Sequence, residues 1–110
     1  MATGRLGAVN LSATTWAAVY TCPDATFSVV TLSVCNRGAS AVTVRVALST
    51  SAGAGTPADG EFLEYDVSIA PKGVLERTGI VMDSTNKYLK VYASAATANA
   101  VVMGIETATA

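Results

Sequence analysis

The longest alternation of apolar and polar positions runs from Thr26 to Thr50, TFSVVTLSVCNRGASAVTVRVALST. In its first half Ser28, Val30, Leu32 and Val34 fall on one side of an extended backbone, and Val29, Thr31, Ser33 and Cys35 on the other. In its second half Val42, Val44, Val46 and Leu48 oppose Thr43, Arg45 and Ala47. A period of two in β-branched residues marks half-buried strands, because successive side chains of a strand leave on opposite faces. The polar break Asn36-Arg37-Gly38-Ala39-Ser40 between the halves predicts a hairpin, the central one of an antiparallel domain.

Similar runs lie on both sides. Arg5–Asn10 reads as a weak first strand, loosened by Gly4 and Gly7, and Thr15–Thr21 as a second with Trp16, Ala18 and Tyr20 on one face. Cys22-Pro23-Asp24-Ala25 breaks it, since Pro has no N–H for a ladder and Asp favours a turn. Ser51–Gly60 (SAGAGTPADG) is the longest break and reads as a flexible surface loop. Phe62–Ile69 then alternates, Leu63, Tyr65, Val67 and Ile69 against Glu64, Asp66 and Ser68. Ala70-Pro71-Lys72-Gly73 has the composition of a type II turn, and Val74–Val81 returns from it with Glu76 and Arg77 on opposite faces. After the turn Asp83–Asn86, the runs Lys87–Ser94 and Asn99–Glu106 predict a last hairpin through Ala95–Ala98, with 107–110 a frayed tail.

No segment carries a 3.6-residue period long enough for a helix. Short strands with turn signals every ~8–12 residues predict an all-β chain, a single antiparallel β-sandwich of about eight strands, jelly-roll-like or immunoglobulin-like. The strand order is left open. One domain spans residues 1–110, a length that hides roughly two-thirds of the unfolded chain's surface without metal or disulfide support.

Composition changes the picture at the surface. Seven basic and eight acidic residues make 14% charge and a net charge of −1, against about 25% charge in average globular chains. The apolar excess is largely Ala and Val, which suits thin, closely packed β-layers. A surface this neutral is either Ser/Thr/Ala-rich and solvated, or covered by neighbouring subunits. Basic residues are scattered, so neither nucleic acid nor an anionic membrane is an expected partner. No run approaches the ~20 apolar residues of a membrane span, and no apolar segment follows Arg5 as in a signal peptide. Synthesis in a cytoplasm, without export by that route, is the expectation.

The candidate chemistry is thin. Histidine is absent, which removes the commonest general base, nucleophile activator and metal ligand together. Cys22 and Cys35, placed on a hairpin turning at 22–26, would lie ~30 Å apart, against the ~7 Å limit of a disulfide. They are expected as free thiols with Cys35 in or near the core, the alternative being an intersubunit disulfide through Cys22. Two cysteines without histidine are too few for a structural zinc site. Asp59, Glu61, Glu64 and Asp66 form an acidic stretch in which Glu64 and Asp66 share a strand face. It matches no calcium loop, and a solvated strand face, or an ion pair with Arg45 or Arg77, buried or at an interface, is the more ordinary use. Arg77, opposite Glu76 on one strand, needs a carboxylate partner if its face is the core face. Tyr88 and Tyr92 flank Lys90 on one face and are the best candidates for a ring pair that stacks on a sugar, although such rings more often serve a core or a subunit contact.

The segments Val34-Cys35-Asn36-Arg37, Val42–Thr50, Glu61–Asp66 and Pro71–Val81, above all Gly73-Val74-Leu75-Glu76-Arg77-Thr78-Gly79, resemble a family of small virion structural proteins of tailed bacteriophages, over roughly residues 5–106. The resemblance implies a β-rich module present in many copies on a capsid, neck, collar or tail. It brings no catalytic residues and no cofactor. The partners it implies are other virion proteins and further copies of the chain. The competing expectation is a receptor- or carbohydrate-binding module on a tail appendage, using the aromatic face and the 51–60 loop.

Overall fold

A computed structural model describes residues 3–51 and 55–109. Met1, Ala2 and Ala110 lie outside the described residues, as do positions 52–54 of the predicted 51–60 loop. The strands are β1 (Thr3–Asn10), β2 (Thr15–Thr21), β3 (Thr26–Asn36), β4 (Val42–Ser49), β5 (Phe62–Ile69), β6 (Val74–Met82), β7 (Tyr88–Ala93) and β8 (Ala98–Ala108). A single 3₁₀ turn, Asp59–Glu61, precedes β5.

Two four-stranded antiparallel sheets pack face to face, sheet A in the order β1-β8-β3-β6 and sheet B in the order β2-β7-β4-β5. Each pairing of β1 with β8, β2 with β7, β3 with β6 and β4 with β5 joins strands equally far from the β4–β5 connection. The chain is therefore one long hairpin folded at residues 50–61 and rolled up, the rolling adding the β3–β8 and β4–β7 pairings. That is the jelly-roll form of the β-sandwich.

The strand order corrects the predicted hairpins. β3 lies in sheet A and β4 in sheet B, so residues 37–41 form a corner between layers. The same holds for the β2–β3 break and for the predicted last hairpin, β7 being in sheet B and β8 in sheet A. Among the described strands only β4 and β5 are consecutive and paired. The reason is physical: alternation states which side chains face a core, and it reads the same whether the next strand lies beside or across. The 70–73 turn has its expected form, Gly73 N–H donating to Ala70 O at 2.9 Å with Lys72 at φ 64°, but it too joins the two layers.

The core is the space between the sheets. Val30, Leu32 and Val34 of β3 and Ala100 and Val102 of β8 meet Val42, Val44 and Val46 of β4 and Leu89 and Val91 of β7. Each such burial stabilises by about 1.5–3 kcal/mol before conformational entropy is charged against it. Ser28, on the core face as predicted, is also fully buried.

Every break in strand register falls on an edge strand. β1 has an extra residue between Arg5 and Gly7, β2 between Ala18 and Tyr20, β6 opposite Val30–Leu32, and β5 twice, opposite Val44–Ala47. The interior pairings β3–β8 and β4–β7 are regular throughout. Two expectations change as a result. The β2 bulge turns Tyr20 into the core, away from Trp16 and Ala18, and the β5 bulge, with Asp66 at φ 53°, turns Tyr65 out to solvent. The predicted frayed tail is also corrected: Thr107 and Ala108 continue β8 opposite Phe27 and Thr26, and Thr109 N–H donates to Ala25 O.

Candidate docking face

The side chains singled out in the sequence separate into three places. Cys22 is fully buried, its sulfur 3.0 Å from Ser28 Oγ and 3.5 Å from Thr26 O. A thiol so enclosed offers no surface to a neighbouring subunit, which counts against the alternative of an intersubunit bond through Cys22. Both cysteines are free thiols, and Cys35, expected near the core, is the half-buried one, on the outer face of sheet A. The distance argument assumed a hairpin that the fold replaces with a layer crossing. Ser28 also links Cys22 to Tyr20, whose phenol donates to Glu106 Oε2 at 2.7 Å. Burial, then the bond to the Glu106 carboxylate, raises the Tyr20 phenol above its ordinary range.

The four predicted ion-pair residues form two pairs. Arg77 Nη1 donates to Glu64 Oε2, bridging β6 of sheet A and β5 of sheet B where the edges of the two layers meet. Arg45 grips Asp66 with two nitrogens, Nε at 2.6 Å from Oδ1 and Nη2 at 3.3 Å from Oδ2, and that bond raises the guanidinium further. Glu64 and Asp66 therefore do not share a face, the intervening bulge having parted them. Among the described residues no group of three His, Cys, Asp or Glu side chains converges as a metal ligand set would.

The outer face of sheet B is covered by its own chain. Trp16, although on the outward side of β2, is only 6% exposed because its indole packs on Tyr92 at 5.5 Å and Phe62 at 5.7 Å. Phe62 meets Tyr65 edge-on at 5.0 Å, and the Arg45 guanidinium sits 4.4 Å above Tyr65 and 5.3 Å from Tyr92. Ala47 and Lys90 are buried beneath this layer and the neighbouring loop. The Lys90 ammonium donates to Ser51 O and Gly55 O, and Glu61 accepts from Thr50 N–H and Ala58 N–H. Burial alone would raise Glu61, but the backbone bonds from Ala58 and Thr50, the Ser49 hydroxyl and the nearby Lys90 charge together hold the carboxyl below its usual range. A cavity of about 230 Å³ remains here, walled by Thr50, Thr56, Pro57, Glu61 and Lys90 among others, with both charges already engaged. Tyr88 and Tyr92 are both half-buried, and Tyr92 lies against Trp16 with Arg45 over it. They form no open pair of rings.

Sheet A is different. Register places Phe27, Val29, Thr31, Ser33 and Cys35 of β3 on its outer face beside Thr107, Ile105, Met103, Val101 and Asn99 of β8. β6 adds Val81, Glu76 and Val74, and β1 adds Thr3, Arg5 and Ala8. Val81 is 63% exposed, Val74 58% and Ile105 51%, with Phe27, Val29 and Met103 near 40%. One row, Thr3–Ile105–Val29–Val81, crosses all four strands at a single level. Isolated apolar residues on a surface are ordinary, whereas these six share one face. Among the described residues its charges lie at the margin, Arg5 and Glu76 at opposite edges and Arg37 at one end, where its Nε donates to Asn99 Oδ1 at 3.3 Å.

The composition signalled a neutral surface but not which face carried it, because outward apolar positions read like core positions until the layers are assigned. Asn36 was also missed, having read as turn residue. It is fully buried, its amide donating to Ser40 O, Ile69 O and Ala70 O while its oxygen accepts from Gly38 N–H and Thr97 Oγ1. It thereby ties three corners of the sandwich together. Among the described residues no helix is long and apolar enough to cross a membrane. No protein-family model matches the chain, and no curated protein is significantly similar to it.

Proposed function

We propose that the chain is a non-enzymatic structural protein of a tailed-bacteriophage particle, made in the host cytoplasm and attached to capsid, neck, collar or tail by protein–protein contacts through the outer face of sheet A. The observation that carries the docking role is the asymmetry of the two outer faces. Sheet B is roofed by its own aromatic residues and loop, whereas sheet A presents Val81, Ile105, Val29, Val74, Phe27 and Met103 with its charges at the margin. The particle itself is supplied by the sequence resemblance. A repeated shell component needs a rigid, easily packed module with one adhesive face and no reactive centre, and this combination suits that use.

Locating the chain in a reconstruction of the intact particle tests the assignment directly. In the same system, particles lacking the protein are to be incubated with purified chain. Wild type is expected to attach, and Val81→Asp, Val29→Asp and Ile105→Asp to fail while remaining folded. Attachment unaffected by all three substitutions overturns the docking face. A glycan array on the isolated chain tests the competing carbohydrate-binding role, which requires a sugar bound in place of Arg45 over Tyr65 and Tyr92; no signal is expected.

A further inference from the structure

We propose that in the free protein the outer face of sheet A is occupied by a second copy of this chain, packed face to face about a two-fold axis that runs along the strands between β8 and β3, a pairing that opens when the face docks. This rests on the reading of that face as a docking surface and names its partner in the free protein. Among the described residues, Arg5, Asp59 and Glu76 are the charged side chains that neither pair with an opposite charge nor hydrogen-bond within the chain. Two of the three stand on this one face. Arg5 is level with Met103 and Thr31 on the β1 edge, and Glu76 is level with Ser33 on the β6 edge. They differ by one pleat repeat along the strands, about 7 Å.

A rotation about an axis along the strands reverses the order β1-β8-β3-β6, so that β1 of each copy lies over β6 of the other. Arg5 of one copy then comes within side-chain reach of Glu76 of the other, and symmetry makes the contact twice. The same rotation sets Ile105 of one copy over Val29 of the other and Val81 over Thr3, so the apolar row meets itself. An axis across the strands would lay β1 over β1 and leave both charges unpaired. The charges thus select the axis, while the apolar row supplies the contact. Such an isologous arrangement closes at two copies.

The size of the face sets the strength. Four strands at ~4.8 Å spacing and ten steps of ~3.3 Å give a footprint of about 19 by 33 Å, or roughly 600 Å² per copy. Some 1,200 Å² in total is the lower bound of specific interfaces, so the dimer is weak and concentration-dependent. The rim charges govern register and partner choice more than they add affinity.

Sedimentation equilibrium of the full chain from micromolar to millimolar concentration, with circular dichroism to confirm folding, tests this. A monomer–dimer equilibrium is expected. Ile105→Asp should weaken it at least ~100-fold, whereas Arg5→Glu and Glu76→Arg singly should each cost about tenfold. The double swap Arg5→Glu/Glu76→Arg should return to within ~3-fold of wild type. A strict monomer at millimolar concentration, a trimer, or a double swap weaker than both single variants would overturn the pairing. A chain that stays monomeric yet binds particles through Ile105 and Val81 sinks the two-fold pairing and leaves the docking role standing. A chain that does neither sinks both.

Discussion

At Gly104 there is no room for a methyl group. A Cβ there would lie 2.1 Å from Val29 O and 2.8 Å from Val30 Cα, both backbone atoms of the neighbouring central strand. Gly104→Ala must therefore displace β3 or β8, and a loss of ~3 kcal/mol or more in urea denaturation is expected. Gly60→Ala, where nothing lies within 4 Å, should stay within ~0.5 kcal/mol of wild type. Asn36→Ala removes bonds from three carbonyls at one buried point and should cost ~2–4 kcal/mol. Tyr20 makes a prediction about alkali. Because its folded pKa is raised, stability is complete below pH ~10 and declines above it, where the unfolded phenol ionises and the buried one does not. In an ultraviolet titration the Tyr20 phenol should ionise only as the fold opens, a late step that Tyr20→Phe removes. At this scale the sequence was legible where alternation was unbroken, as at Val30, Leu32 and Val34. It was illegible where a bulge intervened, because the extra residue in β2 or β5 leaves no compositional trace while reversing every side chain beyond it.

Among elements, the edges are the informative part. Bulges bend and twist a strand and spoil its value as a template for another chain's backbone. Here they occur in β1, β2, β5 and β6 and in neither interior pairing, so all four rims are poor templates for strand addition. Between β5 and β6, edge strands of different layers, Arg77–Glu64 spans the two sheets with both side chains partly exposed. A double-mutant cycle on Arg77→Ala and Glu64→Ala should give a coupling of no more than ~1 kcal/mol, the range for solvent-screened pairs. The existence of all eight strands was readable from the sequence, and their bounds to within a few residues. Which strands adjoin was not, since pairing is decided by the roll of the whole chain and not by any local pattern.

For the molecule as a whole, acid is the expected weakness. Hydrogen bonds from Lys87 to Asp24, and from the Asn86 and Thr85 backbone to Asp83, hold those carboxyls below their usual range, and Glu61 behaves likewise. Depressed folded pKa values give stability that is complete above the unfolded carboxylate range and is lost as pH falls through the folded values. The melting temperature should therefore be level from pH 5 to neutrality and drop below about pH 4, with a shallower drop for Asp83→Asn. The low charge bears on the same scale: composition shows a neutral surface, and the register assigns much of its exposed apolar part to the outer face of sheet A.

The rolled-hairpin topology has a consequence for how the protein is made. β8, the last of the eight strands to be synthesised, sits in the interior of sheet A between β1 and β3. Until residues beyond Ala98 have emerged, β1 has no lateral neighbour and β3 is flanked on one side only. The nascent chain must wait with a valine-rich strand uncovered, and pairings between such distant segments close slowly, in milliseconds to seconds. Folding of the sandwich is thus held back until β8 is available, and chaperone occupancy of nascent chains should fall abruptly once residues 98–108 have left the ribosome.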